Sequence, residues 1–256
     1  MCLIAFRWHP GSATPLQLIG NRDEFHARPT APLAPWQDAP NLVGGRDLEA
    51  GGSWLAANRQ GTVAAITNVR DPALISAAGA PSRGHLVKQA LECDSTMDWL
   101  NSLAEGGAAE YAGFNLLVTT PTRLWCLHRG REQVSLQEVS PGVHGLSNAA
   151  LNSPWPKLLS ARTALEQVDP SHFPGKALTA FQNPHQAPIS TLPDTGVGTE
   201  LEQQLSAAFI VGERYGTRAT SWLTLADNGD VALTEQRFGP WGAFEGETTL
   251  SVPCER

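Results

Sequence analysis

The sequence predicts an α+β fold in which two mainly antiparallel sheets pack face to face with helices outside them. Three observations carry this. Apolar runs of strand length come in neighbouring pairs joined by turn-rich links, as hairpins require. The helical stretches arrive in groups after sets of strands, not one after each strand. Hairpin connections dominate, so βαβ crossovers and a parallel sheet are not indicated.

Taken in order, Cys2–Trp8 reads as a short buried strand, His9–Pro15 as a turn, and Leu16–Ile19 as the returning strand. Gly20-Asn21-Arg22-Asp23-Glu24 follows, and Arg28–Pro40 is too rich in proline to form a regular element. Strands resume at Asn41–Gly45, Gly52–Ala57 and Gly61–Thr67, the last two joined by the turn Asn58-Arg59-Gln60-Gly61. Two helices follow, Arg83–Leu91 behind Ser82 and Ser95–Ala104 behind Asp94 as N-caps. In the second, Met97, Leu100 and Leu103 fall on one face. Strands are expected at Gly113–Thr119, Leu124–His128 and Gln133–Val139. A helix over Pro154–Val168 holds its prolines in the first turn. Helices at Lys176–Gln182 and Glu200–Ala208 flank an irregular segment from 183 to 198, long enough to serve as a lid. Thr217–Leu225 and Asp230–Thr234 close a hairpin around Asp227-Asn228-Gly229.

Composition narrows the function classes. The chain has 256 residues, 41% hydrophobic and 17% charged, which suits one globular domain spanning 1–256. The net charge of −7 and the lack of a Lys/Arg run argue against nucleic acid or an anionic membrane as partner. The opening run Met1–Phe6 ends at Arg7, too short for a secretory signal or a membrane span, so a cytoplasmic protein is expected. Four scattered cysteines without a C-x-x-C pair suggest reduced thiols, not a disulfide framework or zinc site. Seven histidines show no metal-ligand spacing, and Cys126-Leu127-His128 reads as core packing. Nucleotide-binding, serine-hydrolase and zincin motifs are missing.

Chemistry is concentrated at the front of the chain. Residue 2 is small enough for Met1 to be removed, which would leave a thiol and a free α-amine on Cys2. Such an amine titrates near 7.7–8, roughly, and can take the thiol proton without a histidine. A hairpin brings Asn21-Arg22-Asp23-Glu24 towards Cys2, where an arginine lowers a thiol pKa and a carboxylate holds an ammonium. The alternatives are a buried structural thiol and a solvated charged turn.

Several motifs extend this reading: Met1-Cys2-Leu3-Ile4, Gly20–Phe25, Gly51–Leu55, Ala65–Arg70, Leu146–Asn148, Ser153–Lys157, Leu192–Gly196, Tyr215–Arg218 and Thr234–Arg237. In this order they resemble the NRDE family, also called the transport and Golgi organisation protein 2 family. The resemblance implies a four-layer αββα sandwich of the N-terminal-nucleophile type. More distantly, the layout is similar to cysteine amidases of the penicillin V acylase and bile salt hydrolase group. It implies Cys2 as nucleophile, Arg22 stabilising the thiolate, Asp23 orienting the α-amine, Asn68 and Asn148 as oxyanion donors, and Arg218 as a further positive charge. Adjacent strand residues face opposite ways, so the register of the Arg22 and Asp23 assignment stays open by a residue or two.

Other readings stay open at this level. Asn68 and Asn148 can close strand ends, Arg218 can pair with Glu213 or Glu235, and Trp54 and Trp155 read as core aromatics. Leu192–Gly196 matches a cell-wall sorting pentapeptide, but a polar helix follows where an apolar span is needed. Two functions compete. One is a hydrolase or acyl-transferase acting on an amide or thioester through Cys2, requiring no cofactor. The other, also implied by the resemblance, is a non-catalytic carrier of haem or an acyl lipid, with haem as cargo held in the same cleft.

Overall fold

In the computed structural model, residues 2–74 and 79–255 are described. Thirteen strands form two antiparallel sheets among them. The first sheet has the order β10-β1-β2-β11-β12-β13. Its strands are β1 (Cys2–Trp8), β2 (Leu16–Phe25), β10 (Gly142–Leu146), β11 (Tyr215–Leu225), β12 (Val231–Phe238) and β13 (Phe244–Val252). The second sheet runs β3 to β9 in chain order. It comprises β3 (Thr30–Trp36), β4 (Ala39–Asp47), β5 (Leu55–Asn58), β6 (Val63–Asn68), β7 (Phe114–Thr119), β8 (Leu124–Arg129) and β9 (Val134–Glu138).

Strand β1 shows why the layers stack as they do. Cys2, Ile4, Phe6 and Trp8 join the core between the sheets, with Leu42, Ala56 and Leu117 from the second sheet. Leu3 and Ala5, on the other face, pack with Leu158, Ala161 and Phe181 of helices α3 (Pro156–Glu166) and α4 (Gly175–Phe181). A strand covered on both faces reads as a near-continuous apolar run, which Cys2–Trp8 shows with Arg7 as its one polar residue. Helices α1 (Gly84–Glu92) and α2 (Thr96–Glu105) cover the second sheet through Leu86, Val87 and Leu100. Helix α5 (Thr199–Gln204) precedes β11. The result is the expected αββα sandwich.

The structure departs from the sequence reading at identifiable places. Thr30–Trp36 is a strand despite Pro32 and Pro35, because β3 is an edge strand paired only with β4. Its register breaks between Ala31 and Ala34, where Pro32 lies, and again after Pro35, which stands opposite Val43. Strand β2 continues to Phe25, so Asn21–Glu24 lies within the sheet and not beyond it. Strands β10 and β13 were not foreseen. Ser95, not Asp94, caps α2, its hydroxyl accepting from Asp98 N at 3.4 Å. The N-cap position of α1 is Arg83, although Ser82 Oγ accepts from Gly84 N at 3.3 Å. The last helix ends at Gln204, four residues early.

A close approach fixes one wall of the site. A Cβ on Gly52 would lie 2.3 Å from the carbonyl carbon of Gly84, so only glycine lets α1 begin against the turn before β5. Arg83, the residue before Gly84, is thereby brought to the mouth of the space between the sheets.

Candidate active site

Pairing of β1 with β2 places Cys2 directly opposite Arg22. Directly opposed residues of an antiparallel pair share a face. Cys2 and Arg22 therefore both point between the sheets, while Asn21 and Asp23 turn towards α3 and α4. Asn21 is wholly buried there, its amide donating to Phe181 O and Ala208 O at 2.7 Å each.

Between the sheets lies a cleft of about 470 Å³. Its walls include Cys2, Arg22, Asp23, Asn68 and Arg218 of the expected site residues, with Trp54, Thr30 and Glu235. Trp54 is core and wall at once, 7% exposed. Asn148 is brought close but stands behind Asn68. Its amide nitrogen donates to Asn68 Oδ1 at 2.9 Å and to Asn68 O at 3.0 Å. Both Asn148 donors are thus spent on Asn68, and the Asn68 amide nitrogen donates to no other described residue. Of the two, the half-buried Asn68 lines the cleft and Asn148 does not.

Ser147 links this pair to the chain start. Its hydroxyl lies 3.2 Å from Cys2 O and 3.3 Å from Asn148 Oδ1. Beneath it, Thr67 Oγ1 donates to Ser147 O at 2.6 Å, and the Asn115 amide donates to Thr67 Oγ1, Ser147 O and Ala149 O. His128 Nδ1 lies 2.6 Å from Asn115 Oδ1. These residues hold the strand ends that carry Cys2, Asn68 and Asn148.

Asp23 is 1% exposed and accepts from Thr217 Oγ1 at 2.7 Å. Burial pushes its carboxyl pKa up, against the pull of Lys157, the terminal ammonium, the Thr217 hydroxyl and Arg70. Lys157 is buried at the start of α3 with Nζ donating to Leu205 O at 2.8 Å. Burial lowers its pKa to about 8, opposed chiefly by Asp23. Beside it Arg70 and Glu202 form a buried ion pair, with Arg70 stacked 4.6 Å above the Trp155 ring. Glu202 Oε1 also accepts from Thr195 N at 2.9 Å and from the Thr195 hydroxyl at 2.5 Å.

Burial likewise pushes the Cys2 thiol up; the terminal ammonium and Arg22 act to lower it, Asp23 and Glu24 to raise it. Arg218 reaches the cleft through a β-bulge. Thr217 pairs with Asp23 and Ala219 with Arg22, leaving Arg218 as the extra residue of β11. It pairs with neither Glu213 nor Glu235. Its Nη1 donates instead to Arg28 O at 2.5 Å.

Segment 183–198 does not roof this cleft, since none of its residues lines it. Asp194–Gly196 lines a separate depression with Arg70, Asn148 and Trp155. Pro184 and Gln186 line an apolar cavity of about 670 Å³ with Leu201, Phe209 and Ile210. Phe25 and Tyr215 belong to the walls of both this cavity and the Cys2 cleft. Lys157, Arg70, Glu202, Ser147 and Asn115 were missed as site residues by sequence reasoning. Lys157, Arg70 and Ser147 stand inside conspicuous motifs, but their burial depends on packing.

A sequence model of the Transport and Golgi organisation 2 family matches residues 1–240. The human transport and Golgi organization protein 2 homolog is 32% identical over 259 residues, covering 92% of each chain. The mouse homolog is 31% identical over 261 residues, again 92% of each. Among solved structures, a variant of the conjugated bile acid hydrolase from Clostridium perfringens superposes with a TM-score of 0.56 at 8% identity, over 99% of this chain and 93% of that one. At that identity the likeness is one of fold alone, a sandwich of two antiparallel sheets with helices outside.

Proposed function

The chain belongs to the Transport and Golgi organisation 2 family, and from that premise we propose that its cleft is the site of an N-terminal-cysteine hydrolase or acyl-transferase acting on an amide or thioester. The observation that carries the reading is Cys2 in the cleft wall, opposite Arg22 and beside the buried Asp23.

The chemistry follows from the protonation states. A thiol whose pKa is raised by burial is protonated at neutral pH and needs a base in contact. Removal of Met1 would supply one in the α-amine of Cys2 itself. The amine takes the thiol proton as sulfur attacks the carbonyl carbon, and the C–S bond forms while the carbonyl π pair moves to oxygen. The Asn68 amide, oriented by Asn148, would donate to that oxyanion, a contact worth about 3 kcal/mol in comparable sites. Collapse expels the amine or thiol leaving group, which takes the proton from the ammonium. Water, or another nucleophile in a transferase, then cleaves the acyl–Cys2 thioester. Asp23 would hold the ammonium, and Arg22 would favour the thiolate.

Intact mass of the purified protein, with and without a thiol-reactive label, tests this. The expected result is a chain lacking Met1 with preferential labelling at Cys2, and a covalent acyl adduct lost in Cys2→Ala. A chain that keeps Met1 has no α-amine at Cys2, and the mechanism falls.

A second reading has its own observation. The apolar cavity that shares Phe25 and Tyr215 with the cleft suits a carrier of haem or an acyl lipid. Haemin titration of wild type and Cys2→Ala separates the two. Saturable, identical binding in both, without an acyl adduct, favours the carrier.

A further inference from the structure

Most cationic side chains of a folded protein that are withdrawn from water have a carboxylate in reach. In the Cys2 cleft some do. Arg28 is paired with Asp47 and Glu49, and Arg46 with Asp38. Arg22 and Arg218 are not: among the described residues neither has a carboxylate oxygen within ion-pair distance. They converge instead on one neutral hydroxyl. Arg22 Nη1 lies 3.3 Å from Thr30 Oγ1, and Arg218 Nη1 lies 3.4 Å from the same atom.

Three further facts show that this is a built arrangement. Arg22 is 8% exposed, so water does not screen the repulsion freely. Arg218 Nε is buried with no hydrogen-bond partner. The Arg218 pKa is lowered by burial and then by Arg22, with Glu245 and Glu24 acting on it from beyond ion-pair reach. The bulge in β11 is what aims Arg218 at its neighbour. Two guanidinium forks that meet over a hydroxyl, with donors left over, match an oxyacid anion bound by parallel N–H···O bonds.

We propose that Arg22 and Arg218 form an anion clamp that selects, for the Cys2 cleft, amides or thioesters bearing a carboxylate or phosphate a few bonds from the scissile carbonyl. The position follows from the register. Arg22 is the cross-strand partner of Cys2, with Cβ atoms of such pairs about 4.5–5.5 Å apart. A short spacer therefore reaches from the carbonyl at sulfur to the clamp. The proposal deepens the hydrolase reading and rests on it for the word substrate. The clamp as a binding site does not.

The test compares three ligands with one acyl chain: N-octanoylglycine, N-octanoyl-O-phosphoethanolamine and neutral N-octanoylethanolamine. Binding is measured by calorimetry to Cys2→Ala protein, so nothing is consumed. One or both anionic amides should bind roughly 10- to 100-fold tighter than the neutral one, as a shielded charge-assisted contact provides. Which of the two leads tells carboxylate from phosphate. Adding Arg218→Gln should collapse the preference to roughly twofold, while Arg218→Lys keeps part of it. Inorganic phosphate supplies a readout that needs no Arg218 variant, and should weaken binding of the anionic amides only. Equal binding of all three ligands, or a preference that survives Arg218→Gln, overturns the clamp. Anion preference without any acyl adduct in the wild type leaves the clamp standing and removes the hydrolase. Turnover of the neutral amide as fast as the anionic ones does the reverse.

Discussion

The two sides of β2 treat buried charge in opposite ways. Towards the helices, Asp23, Lys157, Arg70 and Glu202 bring two anions and two cations together out of water. Towards the second sheet, Arg22 and Arg218 meet without a carboxylate, and Arg83 and Arg237 in the same wall are held by Gly113 O and the Thr248 hydroxyl. The first group is balanced within the protein. In the second, Glu24, Glu235 and Glu245 share the cleft wall, but none lies within ion-pair distance of Arg22 or Arg218. The charge that holds the helices carries its counter-charge in contact, whereas these two guanidinium groups keep donors for a ligand.

The largest effect should come from unbalancing the helical side. Glu202→Ala strands Arg70, which is 5% exposed over Trp155, and frees both Thr195 donors. Removing one partner of such a pair costs about 3–5 kcal/mol. Urea unfolding should show that loss; a change below about 1 kcal/mol would mean that the cluster is not internally balanced.

A smaller, pH-linked effect concerns Lys157. Its folded pKa of about 8 lies below its ordinary value of 10.5, so the unfolded chain binds more protons between them. The penalty of burying the ammonium is full below pH 8 and fades as pH rises through the folded pKa, so stability increases with pH there. At about 1.4 kcal/mol per pH unit at most, the gain between pH 8 and 9 is about 1 kcal/mol. Measured in Cys2→Ala, where no thiol titrates at residue 2, the slope should be present and should flatten on Lys157→Met. A flat profile in both would show that Asp23 already compensates the lysine fully.

The same contrast explains what the sequence made legible. Cys2–Trp8 could be read as a buried strand because all of it but Arg7 is apolar, and its pairing with the Arg22 segment because the turn between them is short. Cys2 and Arg22 were therefore accessible to pattern, whereas Asn68 and Arg218, which also line the cleft, came only from the family resemblance. Lys157 and Glu202 were legible in neither way. A lysine in the first turn of one helix and a glutamate in another look like solvated charges until tertiary packing buries them. The edge strand β3 was missed for a related reason: proline excludes a central strand, and only the finished sheet shows that this one lies at the edge. Likewise the bulge at Arg218 is one extra residue between two pairings, invisible without both strands.

The smallest expected effect tests the contrast most directly. Arg218→Gln removes a charge from the cleft side, and a structural arginine with this many contacts would be missed by the fold. Here the accounting is different. The Arg28 carbonyl that Arg218 touches also accepts from Thr30 Oγ1 at 3.3 Å, so it keeps a donor. Loss of the guanidinium also removes its repulsion with Arg22, which offsets the lost hydrogen bonds. The net change in unfolding free energy should stay within about 1 kcal/mol, of either sign, while Glu202→Ala costs several times more. Excess phosphate should raise the unfolding midpoint of the unvaried protein, because a ligand bound only by the folded state stabilises it by mass action. Arg218→Gln should lose that rise. Were Arg218→Gln to cost as much as Glu202→Ala, Arg218 would be a structural residue like Arg70, and the distinction between the two sides of β2 would disappear.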